Sequence, residues 1–260
     1  MRVVIAICSV LLLAGCLTVS YEERAGAVSS VEPRARRDQT ATDVTAPAID
    51  AAEEEQPAAR DELTARQETI VAAARRVLAT QSTTVGDTTY SYDCTGTILT
   101  IYAHAGIYLM GLFPNYSGNG VARLHGIARD YHLLHARSLP EPGDLIFWDN
   151  TYDRNQDGNW NDPLTHAGLV IDVDEDGTVL YVHHNYRRGI VSATMNLAEP
   201  ETYQSPEGAV LNAPMRMASQ RAANPDLWLS SHLFREYAAM YRIELSAAST
   251  FDGAAVASAP

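Results

Sequence analysis

Apolar positions recur along the chain in two different rhythms. From residue 61 to 80, Leu63, Ile70, Val71, Ala74, Val77 and Leu78 return at near-helical spacing, which predicts an amphipathic helix. A second helix is predicted from Cys94 through Ile98, Ile101, Tyr102 and Leu109, opened by Asp93 as N-cap. A third, over 119–136, turns Val121, Leu124, Ile127, Ala128 and Tyr131 inward and leaves His125 and His132 on its polar side. His104 is read in the same way, as a surface or capping residue.

After Pro140 the rhythm shortens. Short strands are predicted over 144–148, 166–172, 179–185 and 190–195, punctuated by the turn signals Glu141-Pro142-Gly143 and Asp176-Gly177. The stretch 227–241 reads as helix or a helix–strand mixture, with 242–245 as a last strand and a frayed end at 246–260. Helices followed by antiparallel strands make an α+β domain, N-terminal helices packed on a small antiparallel sheet, spanning 61–245.

The first sixty residues follow neither rhythm. Met1-Arg2 precedes an uncharged apolar run, Val3 to Leu13, too short to span a bilayer and built like a secretory signal. It ends Leu13-Ala14-Gly15-Cys16, which resembles the lipobox of bacterial lipoproteins. That resemblance implies a signal peptide over 1–15, lipid on Cys16 and a chain held at a membrane. With Leu17 after the Cys, the location implied is the cell envelope, at the outer membrane facing the periplasm. Residues 16–60 are rich in Ala, Glu, Asp, Arg, Ser, Thr and Pro and cannot bury enough apolar area to offset ordering entropy, which predicts a disordered tether. Cys8 leaves with the signal and Cys16 takes lipid, so Cys94 has no thiol to pair with.

Charge and composition narrow the chemistry. The formal net charge of -13 argues against nucleic acid as a partner. All 19 basic residues are Arg, which excludes Schiff-base chemistry, Ser–Lys dyads and a P-loop. The segments that remain are Asp93-Cys94-Thr95-Gly96, Pro142-Gly143-Asp144-Leu145, His166-Ala167-Gly168 and Tyr181-Val182-His183. A Cys at a helix N-terminus has its thiolate favoured by the helix dipole and by a nearby imidazolium, exposed amides there can hold an oxyanion, and His166 can serve as base and acid. If 166–172 and 179–185 form a hairpin with a two-residue Asp176-Gly177 loop, Val170 faces His183. His166, His183 and Asn185 then share a face, which makes His183 the orienting group. A longer loop would promote His184 instead.

In order and spacing these segments resemble the NlpC-type cell-wall cysteine peptidases of the papain-like superfamily, with the CHAP amidases as a close alternative. Thr95 stands at the family's Ser, and the family's upstream Tyr-x-x-Gly has no counterpart before Tyr90 and Tyr92. The resemblance covers roughly 61–195. It implies a papain-like fold, a Cys94–His166–His183 triad and peptidoglycan stem peptides as substrate. Cleavage of a γ-D-glutamyl amide through an acyl-enzyme, with no cofactor needed for the chemistry, is also implied. Two other functions fit the same residues: a catalytically silent wall-binding or scaffold lipoprotein, and an amide or acyl transferase that needs an amine acceptor.

One insert adds a different chemistry. Between Trp148 and His166, Asp153, Asn155, Asp157, Asn159 and Asp162 put oxygen ligands at alternate positions with Gly158 sixth, matching the start of a calcium loop whose twelfth position is Leu164 rather than Glu. A structural Ca²⁺ there would order the segment leading into His166.

Overall fold

A computed structural model describes residues 57–137, 139–216, 224 and 226–245. The expected signal peptide, lipidated Cys16, all but the last residues of the tether, and the C-terminal tail lie outside the described residues. Helix α1 (Pro57–Thr80) starts four residues before the expected Asp61, at a Pro whose fixed φ suits a first helical turn. It buries Ile70, Ala73, Ala74 and Val77 along one stripe. A small hairpin, β1 (Thr84–Val85) and β2 (Thr88–Thr89), leads into α2 (Cys94–His104).

Helix α2 ends well short of Leu109. Gly106 adopts φ +79°, and the Gly106 and Ile107 amides fold back onto the carbonyls of Ala103 and Tyr102. A 3₁₀ turn over Leu109–Asn115 follows. Helix α3 (Gly120–Asp130) is capped by Asn119, whose side chain accepts the Ala122 N–H at 2.7 Å. It stops before the expected Ala136 because His132 turns left-handed at φ +56° and the Leu133 amide bonds the Ala128 carbonyl. The released chain pairs as strand β3 (Leu134–His135).

The remaining strands are β4 (Leu145–Trp148), β5 (His166–Val173), β6 (Thr178–Asn185) and β7 (Gly189–Asn196). A one-turn helix α4 (Ser230–Leu233) then runs into β8 (Phe234–Ala238). One antiparallel sheet results, in the order β3-β8-β4-β5-β6-β7. The mixture expected over 227–241 therefore resolves into helix and a strand inserted beside β4, and 242–245 does not form a strand.

The sheet is covered on both sides, which is why Leu145-Ile146-Phe147-Trp148 reads as unbroken apolar sequence rather than alternation. Leu145 and Phe147 face the helices with Leu169, Val182 and Ile190. Ile146 and Trp148 face the other way, into a second cluster with Val170, Tyr181, Met195, Leu233 and Tyr237. The chain after β7 covers that second face, and the Trp148 indole N–H donates to the Ser230 carbonyl at 2.9 Å. The architecture is α+β, and no helix among the described residues is long and apolar enough to cross a membrane.

Candidate active site

Cys94 is the first residue of α2, and the residues around it are fixed by contact. Asp93 is extended, its carboxylate accepts the Gly96 N–H at 2.8 Å, and its carbonyl takes the Thr97 amide and hydroxyl. Gly96 is required by close approach: a Cβ there would lie 1.8 Å from the Ser91 carbonyl oxygen. Thr95 packs onto Gly120, where a Cβ would meet its hydroxyl at 2.4 Å, so the start of α3 is cut away for this side chain.

Cys94 is partly buried. Burial, and next the Asp93 charge, push the thiol up to about 11, while the Ala167 N–H and the hydroxyl and N–H of Thr95 pull the other way. The helix mouth alone therefore does not leave an anion at rest; desolvation wins and the resting group is a thiol. The Ala167 contact has a clear origin. The β5–β6 ladder begins at Gly168↔His183, and one residue earlier the Ala167 amide is directed at the Cys94 sulfur.

On the opposite face of β5, His166 Nε2 and His183 Nδ1 share a hydrogen bond of 2.8 Å, with the rings edge to face at 5.1 Å between centroids. Trp148 and Tyr181 pack around the pair. Gly168 makes room for the Trp148 ring, which would stand 3.1 Å from any Cβ. His183 is 4% exposed. Burial first, then the charge of His184, pull His166 down to about 4, with Asp93 opposing. Burial first, then His166, Arg188 and His184, hold His183 well below the usual imidazole value. Both rings are neutral near pH 7, so one proton lies between the two nitrogens.

The expected face is kept, but by another register. The turn at 174–177 shifts the pairing by one residue, to Val173↔Val179, which alone would bring His184 to the His166 side. A bulge at Ile171 shifts it by one more, and Gly168, not Val170, faces His183. Two shifts cancel. His184 faces the helices, edge-on to Tyr92 at 4.7 Å and opposite Ile190. Asn185 is engaged elsewhere: its side-chain oxygen accepts the amides of Arg187 and Arg188.

No protein-family model, curated protein or solved structure matches this chain.

The insert at 149–165 leaves the sheet at the Trp148↔His166 pair and is pinned at its base. Thr165 accepts the Thr151 N–H, Leu164 donates to Asp149, and Asn119 reaches the Leu164 carbonyl. At the tip, Asp153 accepts the Gly158 amide, Asn155 and Asp157 bond each other, and Asp157 takes the Asn159 amide. Asp162 is not gathered with them. It is 2% exposed at the base, accepts the Arg154 N–H at 3.0 Å and lies 3.7 Å from the Arg154 guanidinium. Among the described residues no three His, Cys, Asp or Glu converge as a metal-binding group.

Several residues at the site carry no motif. Tyr152 stands close enough to Cys94 for the sulfur's charge to add to burial in raising its phenol. Arg216, 5% exposed, stacks on Trp160 and donates to the Asn150 carbonyl, near Asp153 and Asp162. Only an unusual buried Arg far down the chain could have hinted at the latter. His125 corrects its surface reading: its side chain is 13% exposed and meets Glu236 at 2.9 Å.

Proposed function

We propose that this chain is a cell-envelope amide hydrolase with an NlpC-type, papain-like arrangement. It would use Cys94 as nucleophile, His166 as base and acid, and His183 as the group that orients His166. The observation that carries the proposal is the 2.8 Å His166–His183 bond, together with a partly buried Cys94 at a helix start whose sulfur takes the N–H of Ala167, the residue after His166. Neutral His183 accepts at Nδ1 from the Nε2–H of His166, which leaves the His166 Nδ1 lone pair free as a base. In the proposed attack the His166 ring, carried by the first residue of β5, has to reach past the strand end to take the Cys94 proton as sulfur adds to the amide carbon. The C–N bond breaks, the amine leaves with the proton, and water activated by His166 releases the acyl group.

A thiol kept neutral at rest avoids the oxidation that a standing thiolate invites in an oxidising compartment. The substrate proposed is a peptidoglycan stem peptide, and the bond a γ-D-glutamyl amide. Lipid on Cys16 would hold the enzyme at the envelope; Cys16→Ser should abolish fatty-acid labelling and release the chain from membranes. Calcium is the one ion proposed, in the turn through Asp153, Asn155, Asp157 and the Asn159 carbonyl. The buried Asp153 Oδ1, which has no hydrogen-bond partner among the described residues, favours it.

The deciding experiment is mass spectrometry of purified wall fragments incubated with the protein. New peptide ends are expected, and Cys94→Ser should abolish them. Products formed equally by Cys94→Ser sink the hydrolase. Binding without product supports the scaffold reading, which the raised thiol favours, and product only with an added amine supports a transferase.

A further inference from the structure

The tip of the β6–β7 hairpin lies beside the proposed active site and is built rather than loose. The Asn185 side-chain oxygen accepts the Arg187 and Arg188 amides at 3.1 and 3.2 Å, and Gly189 closes the turn at φ +73°. A Cβ at Gly189 would meet the Tyr92 hydroxyl at 2.6 Å, so the tip rests against the residue two before Cys94. Gln81 clamps it from α1, donating to the Ile190 carbonyl at 2.6 Å and accepting the Ile190 N–H at 3.0 Å. This frame displays Tyr186, 86% exposed, and the exposed side chains of Arg187 and Arg188. Neither Arg makes an ion pair among the described residues, in a chain whose formal net charge is -13. The charge of Arg188 also reaches His183 and Tyr181, on the face that carries the His166–His183 pair.

A rigid turn with exposed guanidinium groups, one of them within electrostatic reach of His183, suits a planar anion better than a neutral peptide. We infer that Arg188, with Arg187 beside it and Tyr92 as an adjoining wall, forms a carboxylate subsite. It would select substrates bearing a free carboxylate close to the amide that is cut. This rests on the hydrolase reading for its amide, and it deepens it: a γ-linked glutamyl residue leaves its α-carboxylate in that position, and amidation of that carboxylate removes the charge.

The test compares two synthetic peptides, L-alanyl-γ-D-glutamyl-diaminopimelate and the same peptide with the glutamyl α-carboxylate amidated. Cleavage is followed with the wild-type chain, and binding with Cys94→Ala by calorimetry. The carboxylate form is expected to be favoured about tenfold, through KM and Kd, as one charge-assisted contact allows. In Arg188→Gln the preference should fall to near unity, and Arg188→Lys should keep part of it. Equal handling of both peptides by the wild type, or an undiminished preference in Arg188→Gln, overturns the subsite. Cleavage without preference removes the subsite and leaves the hydrolase. Preferential binding without cleavage keeps the subsite and removes the hydrolase, and neither binding nor cleavage removes both.

Discussion

Two histidine pairs lie on one face of the same sheet and are built in opposite ways. His135, Tyr237, Ile146, Gly168 and His183 are successive cross-strand partners over β3, β8, β4, β5 and β6, so His135 and His183 are roughly 19 Å apart across four strand spacings. His135 Nε2 meets the Asp144 carboxylate at 3.1 Å, and Asp144 is 1% exposed and also takes the Glu141 amide at 2.8 Å. Among the described residues, the hydrogen-bond partner of the His183 side chain is another imidazole. Judged by a carboxylate partner, His135 would look like the catalytic histidine. The proposed base is instead His166, the residue before the Ala167 N–H that contacts Cys94. The carboxylate fixes a turn and a strand edge, whereas burial first, and then the charge of His184, hold His166 neutral near pH 7.

The largest expected effect separates the pairs by function. His183→Ala should lower kcat about 10³-fold, since an unoriented base loses much of the gain from general acid–base catalysis. His135→Ala should leave kcat within about threefold, because it touches nothing near Cys94. Steady-state kinetics on a cleaved stem peptide decides this, and equal losses from both variants would erase the distinction.

The second effect separates them by stability. Asp144→Ala strips His135 and the Glu141 amide of their partner in a fully buried place, which should cost about 3 kcal/mol. His183→Ala should cost less, since it leaves only one imidazole without its partner. Denaturant unfolding followed by fluorescence measures both, and a smaller loss for Asp144→Ala than for His183→Ala would contradict the structural role.

These contrasts also mark what the sequence could tell. The order of the four segments, the helix opening at Asp93 and the apolar runs of β4 to β7 were legible, because each depends on near neighbours. The register was not, since the Ile171 bulge leaves no signature in Asp172-Val173, and the correct face followed only because two one-residue shifts cancel. Helix ends were missed where His132 and Gly106 turn left-handed, and β8 was foreseen only as part of a helix–strand mixture over 227–241, because its place beside β4 is set by long-range pairing. His135 drew no attention: its partner Asp144 is nine residues on and becomes a neighbour only when β3 docks on β8.

The third effect is in pH. An unfolded histidine titrates near 6.5 and His166 in the fold near 4. Between those values the unfolded chain holds a proton that the folded ring refuses, so this group makes stability fall as pH drops from 6.5 to 4. Cys94 acts at the other end: ordinarily near 9 and about 11 in the fold, it keeps its proton while the unfolded thiol loses it, so stability falls as pH rises from 9 to 11. A plateau from about pH 6.5 to 9 follows for these two groups. Melting curves should show Cys94→Ala flattening the alkaline side and His166→Ala flattening the acid side. The acid limb of kcat/KM should lie below pH 6.5, and a limb at or above that value would mean a ring that charges readily.

The smallest effect concerns how each end of the sheet is held. The His135 end is closed by its own carboxylate. At the His166 end the insert already has internal supports: Arg154 and Arg216 lie close to Asp162, and Thr151 and Thr165 bond side chain to side chain at 2.9 Å. A calcium ion at the Asp153 turn would therefore add to a loop whose base is fixed, and chelation should lower Tm by only about 2–4 °C, the scale of about 1 kcal/mol in a chain of this size. Calcium should restore it, and Asp153→Asn should abolish the response while leaving Asp144→Ala as costly as before. If chelator and calcium leave the melting curve unchanged, the arginines near Asp153 and Asp162 supply all the positive charge this loop uses, and calcium has no part in it.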